Sequence, residues 1–254
     1  MELVPGASAR LLAYLERLEA QRDPACSDMD RLVDALAERG LEPEAWEGLV
    51  ALDGALGGLS LAGGRLRLGP AWPLLAPGEW AGRGVKGDAW PALEREGHVL
   101  WLAGATPAAH ADYVAGPDGS LSLLDRDDGE LSMLASSGLL LLEKNALLSE
   151  ATRALAEAAT LVLGASLSEA WLEGQGLALV AEASDAVSAF YADDRALVRI
   201  SMVDDAPETT AIAATPELLV ALAQEAPDAA LALDGEGPRF DATADALEAT
   251  GRLP

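Results

Sequence analysis

Cysteine is all but missing from this 254-residue sequence: Cys26 stands alone. No internal disulfide and no cysteine-based zinc cluster can form, and a reducing compartment is expected. Lysine is nearly as scarce, limited to Lys86 and Lys144. All 17 bases face 42 acids, which sets a formal charge of −25 and a pI near 4.2. That balance argues against direct binding to nucleic acid, whose affinity comes from Lys and Arg neutralising phosphates, and an anionic membrane surface would repel the chain. No apolar run approaches the roughly 18 residues of a membrane helix, and Met1–Gly6 lacks the basic region and apolar core of a signal peptide. A cytoplasmic location is expected. The two histidines, His98 and His110, have no metal-ligand pattern such as H-E-x-x-H around them, and no G-x-S-x-G elbow occurs. Carboxylates are too numerous for any one pair to point to acid–base catalysis. No enzymatic activity, cofactor or metal is therefore expected.

Half of the residues are apolar and the mean hydropathy is +0.17, so the acidity is not that of a disordered chain. Charge is uneven: residues 1–150 carry 24 acids and 12 bases, and residues 151–254 carry 18 and 5. The shorter C-terminal part holds the denser negative charge. Solvated surface and recognition surface both remain open as readings of it.

The N-terminal third reads as helical. Leu11, Leu12, Leu15 and Leu18 recur at helix spacing between Ser8 and Gln21, and Pro24 breaks the pattern. Asp28 is the expected N-cap of a second helix that buries Leu32, Val33 and Leu36 and stops at Gly40. A third starts at Pro43 and ends before Gly57-Gly58. Leu59-Ser60-Leu61 and Leu66-Arg67-Leu68 then flank Gly63-Gly64 as a hairpin, and Gly69–Trp90 reads as an irregular loop packed by Trp72, Trp80 and Trp90. A buried strand at Val99–Leu102 follows, and then three strands, Ala111–Val114, Ser120–Leu124 after a Gly116-Pro117-Asp118-Gly119 turn and Glu130–Ala135 after an Asp125–Gly129 turn, which make an antiparallel meander. Ser136-Ser137 caps a helix through Leu148, and Ser149–Leu163 reads as its Ala-rich continuation with Gly164 as the stop. Strands are expected at Leu177–Ala181, Val187–Tyr191, Leu197–Val203, Thr209–Ala213 and Leu231–Leu233, and a helix at Pro216–Glu225. The expected class is α+β: helices flanking an antiparallel meander in residues 1–150, then a smaller, acidic α+β part in residues 151–254.

Two literal motifs lack the context their chemistry needs. Gly82-Arg83-Gly84-Val85-Lys86-Gly87 matches G-x-G-x-x-G, but no strand precedes it and Pro91 follows where a helix should open. Asp125–Glu130 looks like a calcium loop, yet Gly falls at position 5 and Ser136 at position 12, so a sharp turn explains it better. What remains is surface chemistry. Acids cluster at Glu42, Glu44 and Glu47, at Asp125–Glu130, and at Asp193-Asp194 and Asp204-Asp205, the last two at opposite ends of one strand. Such turns either are simply solvated or steer a basic partner and pair with its Arg and Lys.

The order of these features resembles the SUKH superfamily, named for bacterial toxin-immunity proteins and yeast cell-wall regulators. The resemblance covers roughly residues 8–150. It rests on the helix ending in Ala55-Leu56-Gly57-Gly58-Leu59, the strand Val99–Leu102, Asp112-Tyr113-Val114 with the Gly116-Pro117-Asp118-Gly119-Ser120-Leu121 turn, and Ala135-Ser136-Ser137 opening a helix with Leu142-Glu143. Where many members carry an aromatic strand near the Gly-Gly and a Phe after the second Ser, this chain has Leu59 and Gly138. The resemblance implies a non-enzymatic role: binding and neutralising a cognate toxin, often a nuclease, inside the producing cell. A basic toxin is the expected partner, with Asp125, Asp127, Asp128, Asp193, Asp194, Asp204 and Asp205 as candidate contact residues. A scaffold or regulatory protein-binding domain of the same fold is the alternative.

Overall fold

The computed structural model describes residues 3–62, 66–75, 91–95, 97–105, 111–127, 129–155, 158–203 and 206–253. The chain is α+β and divides into two compact units, Met1–Glu143 and Lys144–Pro254.

The first unit begins with helix α1 (Ala9–Arg17), shorter than its leucine spacing suggests because the chain turns at Glu19 (φ +50°) into strand β1 (Gln21–Arg22). The Ser8 hydroxyl accepts from the Leu11 N–H, and both its N–H and its Oγ donate to the buried Glu143 carboxylate, at 2.8 and 2.7 Å. A carboxylate at this helix start favours the helix dipole as well as the orphan donors. Asp28 caps α2 (Met29–Glu38) through the Arg31 N–H, as expected, and Gly40 ends the segment with φ +70°. Pro43 opens a 3-10 turn rather than the third helix itself, and α3 spans Glu47–Leu56.

The sheet of this unit runs β1–β2–β3–β5–β6–β7–β8, with β4 (Ala92–Arg95) paired on β5. Strands β2 (Leu59–Leu61) and β3 (Leu66–Leu68) form the expected hairpin, with Ser60 opposite Arg67. Strands β5 (His98–Ala105), β6 (Ala111–Ala115), β7 (Leu121–Asp125) and β8 (Leu131–Ala135) form the expected meander. Leu100 and Leu102 of β5 pack with Leu93, Val114 and Leu124, while Trp101 turns to the opposite face by strand alternation and is also fully buried. That explains the unbroken apolar run there. The segment read as a wholly irregular loop contains a short helix, α4 (Trp72–Leu75), and Trp80, Trp90, His110 and the glycine motif at 82–87 lie outside the described residues.

Two glycines bring backbones into contact. A Cβ at Gly48 would overlap the carbonyl of Asp118, so α3 lies directly on the meander turn, where the Leu49 N–H donates to Pro117 O at 3.2 Å. Gly58, at φ +72°, has no room for a Cβ beside Asp23 O. The departure at Gly138 has a packing reason too, since Leu52 and Leu56 fill the space a side chain there would occupy.

Ser137 caps helix α5 (Gly138–Ala154) by accepting from the Leu140 N–H at 3.3 Å. The expected continuation of this helix to Leu163 is corrected: Ala159–Leu163 is strand β9, in the interior of the second sheet. Burial of Ala159, Leu161 and Leu163 with half-exposure of Thr160 and Val162 is a period of two, and the strand is held by β13 (Ala206–Ala213) on one side and β14 (Leu231–Asp234) on the other. Nonlocal pairing overrides the helix propensity of an Ala-rich run.

The second sheet is ordered β10–β11–β12–β13–β9–β14, with β10 (Ala178–Leu179), β11 (Ser188–Ala192) and β12 (Ala196–Val203). The strand expected over Leu177–Ala181 is reduced to two residues because a 3-10 turn begins at Ala181. Helices α6 (Glu169–Gly174) and α8 (Pro238–Ala249) add to the expected α7 (Pro216–Glu225). One sheet face packs Leu161, Leu163, Val198 and Ala211 against Leu219, Leu222 and Leu247. The other packs Phe190 and Leu197 against Leu147 and Ala151 of α5 and Leu155 just after it. At its rim Lys144 Nζ donates to Asp185 Oδ1 at 2.7 Å, and the same oxygen accepts the N–H groups of Val187 and Ser188.

Gly48→Ala is expected to destabilise the chain by about 1–3 kcal/mol or more through overpacking. Gly174→Ala, in helix α6 with open space around it, is expected to be neutral or stabilising by about 0.5–1 kcal/mol. Urea unfolding of the two variants checks the contrast. In the second unit, Asp185→Ala is expected to cost about 3–5 kcal/mol because it leaves a buried ammonium behind. Adding Lys144→Met should cost less than the sum of the two single changes in the same assay.

Candidate functional site

The acidic turns singled out from sequence are built by the carboxylates themselves. Asp125 Oδ1 accepts the Asp127 N–H at 2.7 Å, the Asp125 N–H donates to Glu130 O, and Gly129 closes the turn at φ +80°. Arg126 folds back onto the buried Asp112 of β6 in a two-pronged pair, its Nε donating at 2.7 Å. This pairing holds the Arg126 guanidinium above its ordinary value. The base inside the Asp125–Glu130 run therefore serves Asp112, and Asp127 and Glu130 stand exposed at the turn.

Asp193 is engaged in the same way. Its Oδ1 accepts the N–H groups of Arg195 and Ala196 at 2.8 and 3.0 Å, and its Oδ2 accepts from Arg195 Nε at 2.7 Å. Asp194 is exposed beside it. Asp128, Asp204 and Asp205 lie outside the described residues. Strand β12 is eight residues long, so at about 3.3 Å per residue its two ends are roughly 25 Å apart. The turn at Asp193-Asp194 and the far end of β12 do not form one patch.

A longer acidic surface lies in the first unit. Along α2, Asp30, Asp34 and Glu38 recur every four residues and are all exposed, which places them in one row. Glu42, Glu44 and Glu47 follow, exposed as well. Between Asp28 and Glu47 the sequence has seven acids and two bases, Arg31 and Arg39. Arg39 Nη1 donates to Ala35 O at 2.8 Å, and its guanidinium lies 5.6 Å from the centre of the Trp101 ring. The sequence signal is the i, i+4, i+8 spacing on a helix whose expected apolar side is Leu32, Val33 and Leu36; the structure buries Leu32, Ala35 and Leu36.

A cleft of about 440 Å³ lies in the first unit, beside the 3-10 turn Pro24–Cys26. Its floor depends on Asp53, a fully buried carboxylate on α3. Asp53 Oδ2 accepts from Ser27 Oγ at 3.1 Å and Oδ1 accepts the Ala71 N–H at 2.9 Å, so one side chain fixes the turn after Cys26 and the entry to α4. Burial pushes the Asp53 carboxyl above the usual carboxylate range, against the two hydrogen bonds that favour its charge. Across strands β1, β2 and β3, Gln21 pairs with Ser60 and Ser60 with Arg67, and all three line the cleft. The Arg67 guanidinium sits 4.8 Å from the centre of the Trp72 ring. The alternation in Leu59-Ser60-Leu61 and Leu66-Arg67-Leu68 already places Ser60 and Arg67 on one face, but their convergence with Trp72 and the Pro24–Cys26 turn needs the fold.

Among the described residues, no group of three or more His, Cys, Asp or Glu side chains is arranged to hold a metal ion, and no helix is long and apolar enough to cross a membrane. Comparison with protein-family models, with curated proteins and with solved structures finds no match.

Because the folded state holds Asp53 protonated to a higher pH than the unfolded chain does, it binds more protons across the interval between the two pKa values. Stability should fall as pH rises from the unfolded carboxylate value, about 4, through the raised folded value, and then level off. Asp53→Asn keeps an oxygen to accept the Ala71 N–H and puts an amide N–H where Ser27 Oγ can accept it, and it should remove this slope. Asp53→Ala should cost about 1–3 kcal/mol for each group left without a partner. Thermal unfolding between pH 4 and pH 8 distinguishes the three proteins.

Proposed function

We propose that this chain is an immunity-type binding protein of the SUKH kind, which neutralises a basic, nuclease-type toxin by covering its cationic surface rather than by catalysis. The observation that carries the reading is the exposed carboxylate row of α2, continued by Glu42, Glu44 and Glu47. Like charges four residues apart on a helix repel by about 0.2–0.5 kcal/mol per pair. A cationic partner removes that repulsion and gains Coulomb energy, so the surface is better satisfied in a complex than alone. Nuclease domains need positive grooves for phosphate, which is the complementary chemistry.

The residues that carry the resemblance serve as joints of the first unit. Gly57-Gly58 meets the Asp23–Ser27 segment, the Asp118-Gly119 turn meets Gly48, Ser137 caps α5, and Glu143 caps α1. Each is a joint of the same unit that carries the acidic row. Among the described turn residues, Asp127, Glu130 and Asp194 are exposed carboxylates, while Asp125 and Asp193 hold their own turns.

The test is binding of the full chain to the protein encoded by the adjacent open reading frame. Reversing Asp30, Asp34 and Glu38 to Lys is expected to weaken the complex by about tenfold or more and to flatten its salt dependence, with smaller effects for Asp127→Lys and Asp194→Lys. A complex whose affinity is unchanged in roughly 1 M salt, where charges are screened beyond about 3 Å, or unchanged by the triple reversal, would overturn the electrostatic mode.

A further inference from the structure

Strand β14 closes one side of the second sheet and pairs with β9 alone. The Gly164 N–H donates to Ala230 O at 2.9 Å, so those two opposed residues form a hydrogen-bonded pair. Bonded and non-bonded pairs alternate along an antiparallel ladder, which makes Ala232 with Val162 and Asp234 with Thr160 bonded pairs as well. The N–H and C=O groups of Leu231 and Leu233 therefore point away from β9. No described residue pairs with this outer edge, so two donors and two acceptors stand in a row, on residues about 6.6 Å apart.

The side chains sort by the same alternation. Leu231 and Leu233 are half-buried and extend the apolar layer that contains Leu161, Leu163 and Leu247, while Ala232 and Asp234 are exposed on the other face. From Glu225 to Asp241 the sequence has five acids, Glu225, Asp228, Asp234, Glu236 and Asp241, against one base, Arg239. Asp228, Asp234 and Glu236 are exposed at the strand and its two ends. A second copy brought edge to edge would set these acids against their own kind, one of the ways in which native sheets keep their edges from self-pairing. The same charges attract a strand of opposite sign.

We propose that β14 receives an extended, cationic segment of a partner protein as one further strand, with apolar side chains beside Leu231 and Leu233 and Lys or Arg on the face of Asp234. Main-chain bonds to Leu231 and Leu233 supply the affinity, and the alternation of the incoming side chains supplies the choice of segment. Because β14 has four residues, the new ladder rests on the outward groups of only two, and charge decides between one segment and another. The edge belongs to the second unit and uses no residue of the α2 row, so it stands or falls independently of the reading that rests on that row.

The test is titration of the full chain with a blocked peptide of alternating valine and lysine, with serine and glutamate versions as controls, followed by amide NMR shifts and hydrogen exchange. In the free chain the Leu231 and Leu233 amides should exchange about tenfold or more faster than those of Ala232 and Asp234, which β9 protects. The lysine peptide should slow exchange at Leu231 and Leu233, the serine peptide more weakly, and the glutamate peptide not at all. Ala232→Lys combined with Asp234→Lys, both at exposed positions, should weaken the lysine peptide by about tenfold. Leu233→Pro removes an outward donor, at a place where an edge strand tolerates proline, and should abolish the protection at Leu231. Reversing Asp30, Asp34 and Glu38 to Lys should leave that protection unchanged. Shifts at other acidic surfaces without protection at Leu231 and Leu233, or undiminished binding in a folded Ala232→Lys, Asp234→Lys variant, would each overturn the proposal. Equal protection by the serine peptide would overturn its cationic class, and self-association of the free chain through these two amides would overturn the choice of occupant.

Discussion

The first unit is organised around a carboxylate that water does not reach. Asp53 leaves solvent to accept one hydrogen bond from Ser27 and one from the Ala71 backbone, and two segments far apart in sequence are thereby tied to α3. Burying a carboxyl is costly unless its oxygens are matched, and its raised pKa records that the match is incomplete. The close backbone approach of Gly58 to Asp23 follows from this tie, because the segment held at Ser27 has to lie on the end of α3. The walls of the cleft, from Pro24–Cys26 to Trp72, are these same tied segments. A single buried acid in an acidic chain thus shapes the walls of the cleft that Arg22 and Arg67 line.

The second unit uses the same device with the charge compensated. Lys144 faces Asp185 at 2.7 Å, and Asp185 takes two backbone N–H groups as well, so the loop before β11 is held by three donors on one oxygen. Burial pushes the Lys144 ammonium below its ordinary value while Asp185 opposes the shift. Apolar packing on both sheet faces supplies the bulk of the stabilisation, and the ion pair fixes where the loop enters the sheet.

Much of this was legible wherever the signal was local. Asp28 and Ser137 announce helix starts because a short polar side chain there answers orphan N–H groups, and the Leu-Ser-Leu and Leu-Arg-Leu alternation announces the hairpin and its register. What failed was the segment at 149–163. Its Ala and Leu content favours a helix, and only pairing with β13 and β14, more than forty residues downstream, makes its end a strand. Helix α8 escaped notice for a related reason: Pro238 marks its start, but Thr243 and Leu247 are its only fully buried residues, so no apolar stripe advertises it. At the candidate sites, sequence located the acidic turns and not their use. An Asp that folds a turn and an Asp that meets a partner look alike until hydrogen bonds are assigned, as Asp193 and Asp194 show side by side.

That distinction changes what the net charge means. In the described turns Asp125 and Asp193 are tied down by local N–H groups, Asp193 also by an arginine two residues away, so their fields are partly cancelled where they stand. The α2 row sets Asp30, Asp34 and Glu38 four residues apart and exposed, while Arg39 reaches Ala35 O and the Trp101 ring. Repulsion between its members favours neither the helix nor its packing, and it weakens as soon as a cation approaches within a Debye length, about 8 Å at physiological salt. Of the acidic features described, the row on α2 is therefore the one whose energy depends most on what stands opposite it, which is the physical property a recognition surface for a basic protein requires.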